Sequence, residues 1–341
     1  MIDISSMVGV FQDDNAGRQA INDSHYQGYT LKFAKQSALD DAFASLYNFP
    51  KYGVGFYFGD FRNPNIGYPL AVFGWAEFPL TSIREKQKFS FGYGGEWGMA
   101  WNFRPYNAEN NPTHVFLGSR ANYIVGVYIC GDYHINRNFL VGAAGGFRHF
   151  SNGGWAQPNI GINMLTMSVS AKYQINSFPQ NYKTATPLPT YEPRWKWDVR
   201  IAAGRKQNGL ETPHFYKELL GVTLKRQVSY MHSIGGGLET TFLFGRKDDG
   251  TARTMLRDIV SPALVGCLER FLSRKLVMPL EVGVYLFPKN IESGEKFRTY
   301  ARIGAKYYLT PHFWTGITVK GHTNITHIIA DCSEIGVGYT F

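Results

Sequence analysis

His149 and Ser151 stand two residues apart in the run FRHFSNGGWAQPNIGIN (147–163). On a β-strand that spacing projects both side chains from one face. An imidazole beside a hydroxyl supplies a base and a nucleophile, the pair needed to attack an ester carbonyl. Asn163 shares parity with Leu165, Met167, Val169, Ala171 and Tyr173 on the following segment. If the two segments pair, three polar groups converge on an otherwise apolar face. A lone His-x-Ser is ordinarily surface decoration, so its meaning depends on the elements that position it.

Those elements are strands. In 299–309, Thr299, Ala301, Ile303, Ala305, Tyr307 and Leu309 share one face, and Tyr300, Arg302, Gly304, Lys306 and Tyr308 the other. The same alternation runs through 197–204 and 312–322, and through the final Ile335, Val337, Tyr339 and Phe341. One face is continuously apolar while the other takes charge, as a strand between lipid and a polar lumen requires. Sixteen such segments are found, fourteen if 4–11 is a tail and one later pair is misread. The fold class expected is all-β: one closed antiparallel transmembrane outer-membrane barrel spanning 1–341. Closure is demanded because every backbone group in lipid must be paired. The Pro-rich stretch 177–194 reads as a periplasmic loop within that domain, and 38–47 as a short helix. No internal repeat stands out beyond the strand pattern.

Composition agrees. Charged residues are 18% and aromatics 16% of 341 residues, against roughly 25% charged in soluble domains. The +9 formal charge comes from Lys and Arg scattered singly among aromatics, which forms no nucleic-acid stripe but suits attraction to anionic phosphates. Cys130, Cys267 and Cys332 stand far apart without metal spacing. His322, His327, Asp331 and Cys332 read as one solvated loop, with no metal assigned. The start MIDISSMVGVFQDD has no basic region followed by an apolar one. An export signal is therefore expected to be absent from this sequence, which would be the mature form with an added Met or a truncated one.

By parity His149 and Ser151 face lipid near the outer rim, where a polar pair is costly without a purpose. The run His149-Phe150-Ser151-Asn152, Gly153-Gly154 and Gln157-Pro158-Asn159-x-Gly161-Ile162 resembles the signature of PagL-type lipid A deacylases, outer-membrane barrels that hydrolyse an acyl ester of lipopolysaccharide. YNFPKYGVGFYFGDF (47–61) and AVFGWAEFPL (71–80) are similar to a longer, acyloxyacyl-hydrolase-like branch. The resemblance implies Ser151 as nucleophile, His149 as general base, and Asn152 with the N–H of Gly154 as oxyanion donors. It implies lipopolysaccharide as partner and no cofactor. The third catalytic position, a Glu in the family, is Asn163 here. Asn can orient an imidazole but brings no charge to the imidazolium. The expectation is an outer-membrane serine esterase. The alternatives are an inactive accessory subunit that contacts other outer-membrane proteins, or a porin. For the porin, Arg148, Arg200, Arg302, Lys172, Lys306 and Lys320 either line an anion path or pair with Asp198, Glu239 and Glu281.

Overall fold

A computed structural model describes residues 1–12, 25–81, 88–175, 187–287, 299–324 and 327–341. Sixteen strands carry nearly all of the regular structure. The first eight are β1 (Ile2–Phe11), β2 (Tyr26–Gln36), β3 (Lys51–Asp60), β4 (Gly67–Pro79), β5 (Phe89–Phe103), β6 (Asn122–His134), β7 (Phe139–Ser151) and β8 (Ile162–Tyr173). The second eight are β9 (Arg194–Lys206), β10 (Phe215–Gln227), β11 (His232–Gly245), β12 (Val260–Phe271), β13 (Leu276–Tyr285), β14 (Thr299–Tyr308), β15 (Phe313–Asn324) and β16 (His327–Thr340). Among the described residues two one-turn helices, α1 (Ala42–Ser45) and α2 (Leu256–Ile259), sit in connections. The expected short helix in 38–47 is α1, capped by the Asp41 carboxylate accepting from Phe43 N–H at 2.9 Å.

The strands close as two barrels of eight rather than as the single barrel expected. β1 pairs with β8 (Ile4 opposite Ala171), and β16 pairs with β9 (Val337 opposite Ile201). Alternation along a strand reports which face is apolar; it does not say which distant strand closes the sheet. Eight strands leave an interior just wide enough for side chains to fill, and both interiors here are filled. The chain correspondingly forms two compact units, one of Met1–Asn152 with Pro158–Leu188, the other of Gly153–Gln157 with Pro189–Phe341. A second correction concerns His322, His327, Asp331 and Cys332. They stand on β15 and β16, not in a loop, and the two strands pair as far as Asn324 opposite His327. Of the Pro-rich stretch 177–194, residues 177–186 lie outside the described residues, and Arg194 already begins β9.

Outward residues are apolar along most of the described strands, with exceptions such as Glu218 and Arg205. Ile4, Val127, Ile129, Met167, Val169, Ile201, Ile303 and Ile335 are all more than half exposed. Such an exterior on a closed sheet belongs in a bilayer, and the protein is an outer-membrane β-barrel protein.

The interiors are ionic. In the first barrel Arg148 reaches Glu96 through Nε at 2.8 Å and lies over the Tyr57 ring, while Lys172 pairs with Asp132 at 2.7 Å. In the second, Arg302 joins Glu281 at 2.7 Å and Glu334 at 2.8 Å and also bonds Glu239; Arg200 bridges Glu239 and Glu281. Lys225 and Lys306 share Glu269 at 2.8 Å each. The six lumenal cations read from the sequence are all buried. Arg200, Arg302 and Lys306 meet the expected Asp198, Glu239 or Glu281, Arg148 and Lys172 pair instead with Glu96 and Asp132, and Lys320 meets the Tyr285 hydroxyl. Buried ions need partners because desolvation otherwise costs several kcal/mol each.

Candidate active site

Above the ion pairs, one end of the first barrel is closed by an apolar cluster. Phe61, Ile66, Phe103, Ile124, Phe150 and Ile162 meet there, joined by Phe116 and Leu117 from the loop 104–121. The loop also buries His114 (1% exposed), whose ring packs on Phe116 at 5.8 Å. Burial alone pushes the His114 imidazole down to about 4. The shortest turn of this barrel, Ile135–Asn138, lies at the opposite end.

At the capped end β7 and β8 pair with His149 opposite Asn163 and Phe147 opposite Leu165. Parity puts Arg148 and Phe150 inside and His149 outside, as the sequence required. His149 Nδ1 and Asn163 Oδ1 are 2.7 Å apart. An amide oxygen only accepts, so Nδ1 carries the proton and Nε2 keeps its lone pair. A carboxylate would select the same tautomer and add charge. The Phe147 ring lies nearly parallel to the imidazole, 11° from coplanar at 6.5 Å.

Ser151 ends β7 and is more enclosed than a lipid-facing residue should be, at 5% exposed. Asn159, in the loop that returns to β8, encloses it. The Asn159 side-chain amide donates to Ser151 Oγ at 2.9 Å, and its Oδ1 lies 3.1 Å from the same hydroxyl. Asn159 Oδ1 also accepts from the Asn152 backbone N–H at 3.0 Å. The structure therefore brings His149 to Asn163 and Ser151 to Asn159. Nucleophile–base hydrogen bonds in ligand-free sites are often long and tighten with substrate.

Asn152 is fully buried, and Gly153 (φ +68°) and Gly154 (φ +94°) follow in left-handed backbone. Only glycine takes two such conformations in succession without strain. The chain turns sharply directly after the nucleophile position. Asn159 belongs to the motif, yet residue types alone give it no role there; its place after Pro158, at the foot of a turn, is the available signal. Among the described residues no group of three or more metal-ligating side chains converges.

Residues 195–341 match the model of a domain family described as acyloxyacyl hydrolase, C-terminal domain. That span is the second barrel, and the segment 147–163 lies outside it. No curated protein matches the chain. Solved structures with a similar course include the ferric enterobactin receptor PfeA of Pseudomonas aeruginosa, at 9% identity and a TM-score of 0.26 over 99% of this chain and 80% of that one. The translocator domain of the autotransporter NalP from Neisseria meningitidis gives 9% and 0.21 over 100% and 87%. The Acinetobacter baumannii outer membrane protein Omp33 gives 9% and 0.17 over 100% and 96%. At these scores the likenesses carry no argument about function.

Proposed function

We propose that this chain, whose second barrel matches the acyloxyacyl hydrolase C-terminal domain family, is an outer-membrane serine esterase with its chemistry on the first barrel. One observation carries the reading: the 2.7 Å contact between His149 Nδ1 and Asn163 Oδ1 on the outward face. It leaves Nε2 as an acceptor two residues from a hydroxyl. Outer-membrane barrels carry short turns on the periplasmic side and longer loops outside. The end that holds the 104–121 and 152–161 loops then belongs to the outer leaflet, where lipopolysaccharide lies.

In the reaction Ser151 Oγ attacks an acyl ester carbonyl of lipid A while His149 Nε2 takes its proton. The oxyanion is met by Asn152 and by the N–H of Gly154, the donors that the resemblance supplies. His149 returns the proton to the departing sugar hydroxyl. Water, deprotonated by the same imidazole, then releases the acyl chain as a carboxylate and frees Ser151. Asn163 orients the base throughout. The scheme calls for no metal or cofactor.

Mass spectrometry of lipid A from cells expressing the protein should show one acyl chain lost. Unchanged lipid A with the barrels folded would overturn the reading. A second reading, a non-catalytic accessory subunit of an outer-membrane complex, is favoured by the uncharged Asn163 and by the hold of Asn159 on the Ser151 hydroxyl. Stoichiometric partners in a native pull-down, together with absent hydrolysis, would support it.

A further inference from the structure

Gly161 is the last residue before β8, and its position constrains the imidazole. Its φ is +82°, and a Cβ there would stand 2.6 Å from His149 Cε1, 3.0 Å from the Phe150 carbonyl oxygen and 3.4 Å from His149 Nδ1. The backbone angle alone favours glycine. The contact adds a separate demand, because the edge of the His149 ring occupies the space a side chain would need. The imidazole is thus held from two directions, by the Asn163 hydrogen bond and by packing on Gly161.

Gly161 is itself fixed from elsewhere in the chain. Its N–H donates to the Phe116 carbonyl at 3.0 Å. Phe116 sits in the loop 104–121, which is tied down along its length. Arg104 N–H donates to the Ile66 carbonyl at 3.0 Å and Tyr106 N–H to the Leu117 carbonyl at 2.8 Å. The Asn111 side chain donates to the Asn65 carbonyl at 2.9 Å. Phe116 and Leu117 are 2% and 0% exposed in the same cluster as Phe150 and Ile162, the neighbours of His149 and Asn163 on their strands. A continuous series of contacts runs from this core through the Phe116 carbonyl and Gly161 to the imidazole.

We propose that Gly161, held by the Phe116 loop, is a positioning residue for His149, setting the ring angle at which Nε2 can act as base. The inference rests on the reading of His149 as that base. It joins two roles in the β5–β6 loop, since capping the barrel and aligning the site become one structural act.

The test compares Gly161→Ala with Gly250→Ala. Gly250 has φ +81° and nothing within 4 Å of an added Cβ, so its variant carries like backbone strain without touching His149. Bringing a Cβ at position 161 to ordinary contact distance moves the ring by about 1 Å, and a misplacement of that size costs on the order of 10²-fold in rate. Gly161→Ala should lower kcat for acyl-ester hydrolysis by about 100-fold with KM little changed, and Gly250→Ala should leave both unchanged. A second readout needs no activity. In micelles, with isotope-labelled histidine, the Nδ1–H signal that Asn163→Ala abolishes should shift in Gly161→Ala and in Phe116→Ala, and stay in Gly250→Ala. Phe116→Ala keeps the proposal open to refutation should Gly161→Ala not fold. An active protein in which Gly161→Ala behaves as Gly250→Ala would sink the positioning role alone. An unmoved Nδ1–H signal in both Gly161→Ala and Phe116→Ala would do the same. A protein that hydrolyses nothing while its signal moves as expected would sink the esterase reading and with it the catalytic purpose, leaving only the mechanical link.

Discussion

The penultimate strands of the two barrels end on related residues and do opposite things with them. β7 closes on Arg148-His149-Phe150-Ser151, and β15 on Lys320-Gly321-His322-Thr323-Asn324. In β7 the cation points inward and the histidine, one residue later, points outward to meet Asn163. In β15 the histidine follows the cation by two residues, shares its parity and is buried in the lumen beside Tyr285. A shift of one residue moves a side chain across the wall. The same imidazole therefore becomes a candidate base in one barrel and part of the filling in the other. The family match falls on the barrel with the inward histidine, so that match and the candidate chemistry sit on different halves of the chain.

Substitutions can break this contrast. The largest effect is expected from Ser151→Ala, which should lower acyl-ester hydrolysis by on the order of 10⁴-fold or more. His322→Ala, assayed by the same acyl release, should alter it less than about twofold, as a change away from the reacting groups. Equal losses would abolish the distinction.

The next effect is on stability. Arg302 serves three carboxylates, Glu239, Glu281 and Glu334, whereas Arg148 serves Glu96. Arg302→Met should cost its barrel about 3–5 kcal/mol in denaturant unfolding, and Arg148→Met less. The reverse order would mean that the tally of partners does not govern the fillings.

A smaller effect depends on pH. His114 is held at about 4 in the folded cap against an ordinary 6.5. The group is a base with a lowered value, so the unfolded form takes up the proton first as pH falls. The stabilisation is complete above 6.5 and is lost between there and about 4, by no more than about 3 kcal/mol. The protection of the Phe116 and Gly161 amides against hydrogen exchange, taken relative to a free amide at each pH, should fall as pH drops through that window, and His114→Phe should flatten the response.

The smallest expected change is a gain. Asn163→Asp should keep the tautomer, add a charge for the imidazolium, and raise kcat by roughly tenfold. No gain would mean that orientation alone limits the base.

Much of this architecture could be read from residue order. The segments 139–152 and 299–309 lie within one residue of β7 and β14, and the terminal face of Ile335, Val337 and Tyr339 is exposed as its alternation required. What could not be read is who pairs with whom across the closing seam. The contact of Ile4 with Ala171 spans more of the chain than any periodicity reports. The lumenal cations were legible by parity; of their partners Asp198, Glu239 and Glu281 were, whereas Glu96, Asp132, Glu269 and Glu334 were not. Asn163 was legible as the neighbour of His149 because both lie on strands with fixed phase. Asn159 and Phe116 were not, because loop contacts follow turn geometry that alternation does not encode.

Each barrel begins and finishes at one of its own rims: β1 departs where β8 returns, and β9 departs where β16 returns. Each sheet is then sealed by its own first and last strand and lends no edge to the other. A chain laid out this way is modular at the level of the gene. Among the described residues no strand pairing involves the chain between Tyr173 and Arg194, and a further eight-strand cassette could be spliced there without re-threading what already exists.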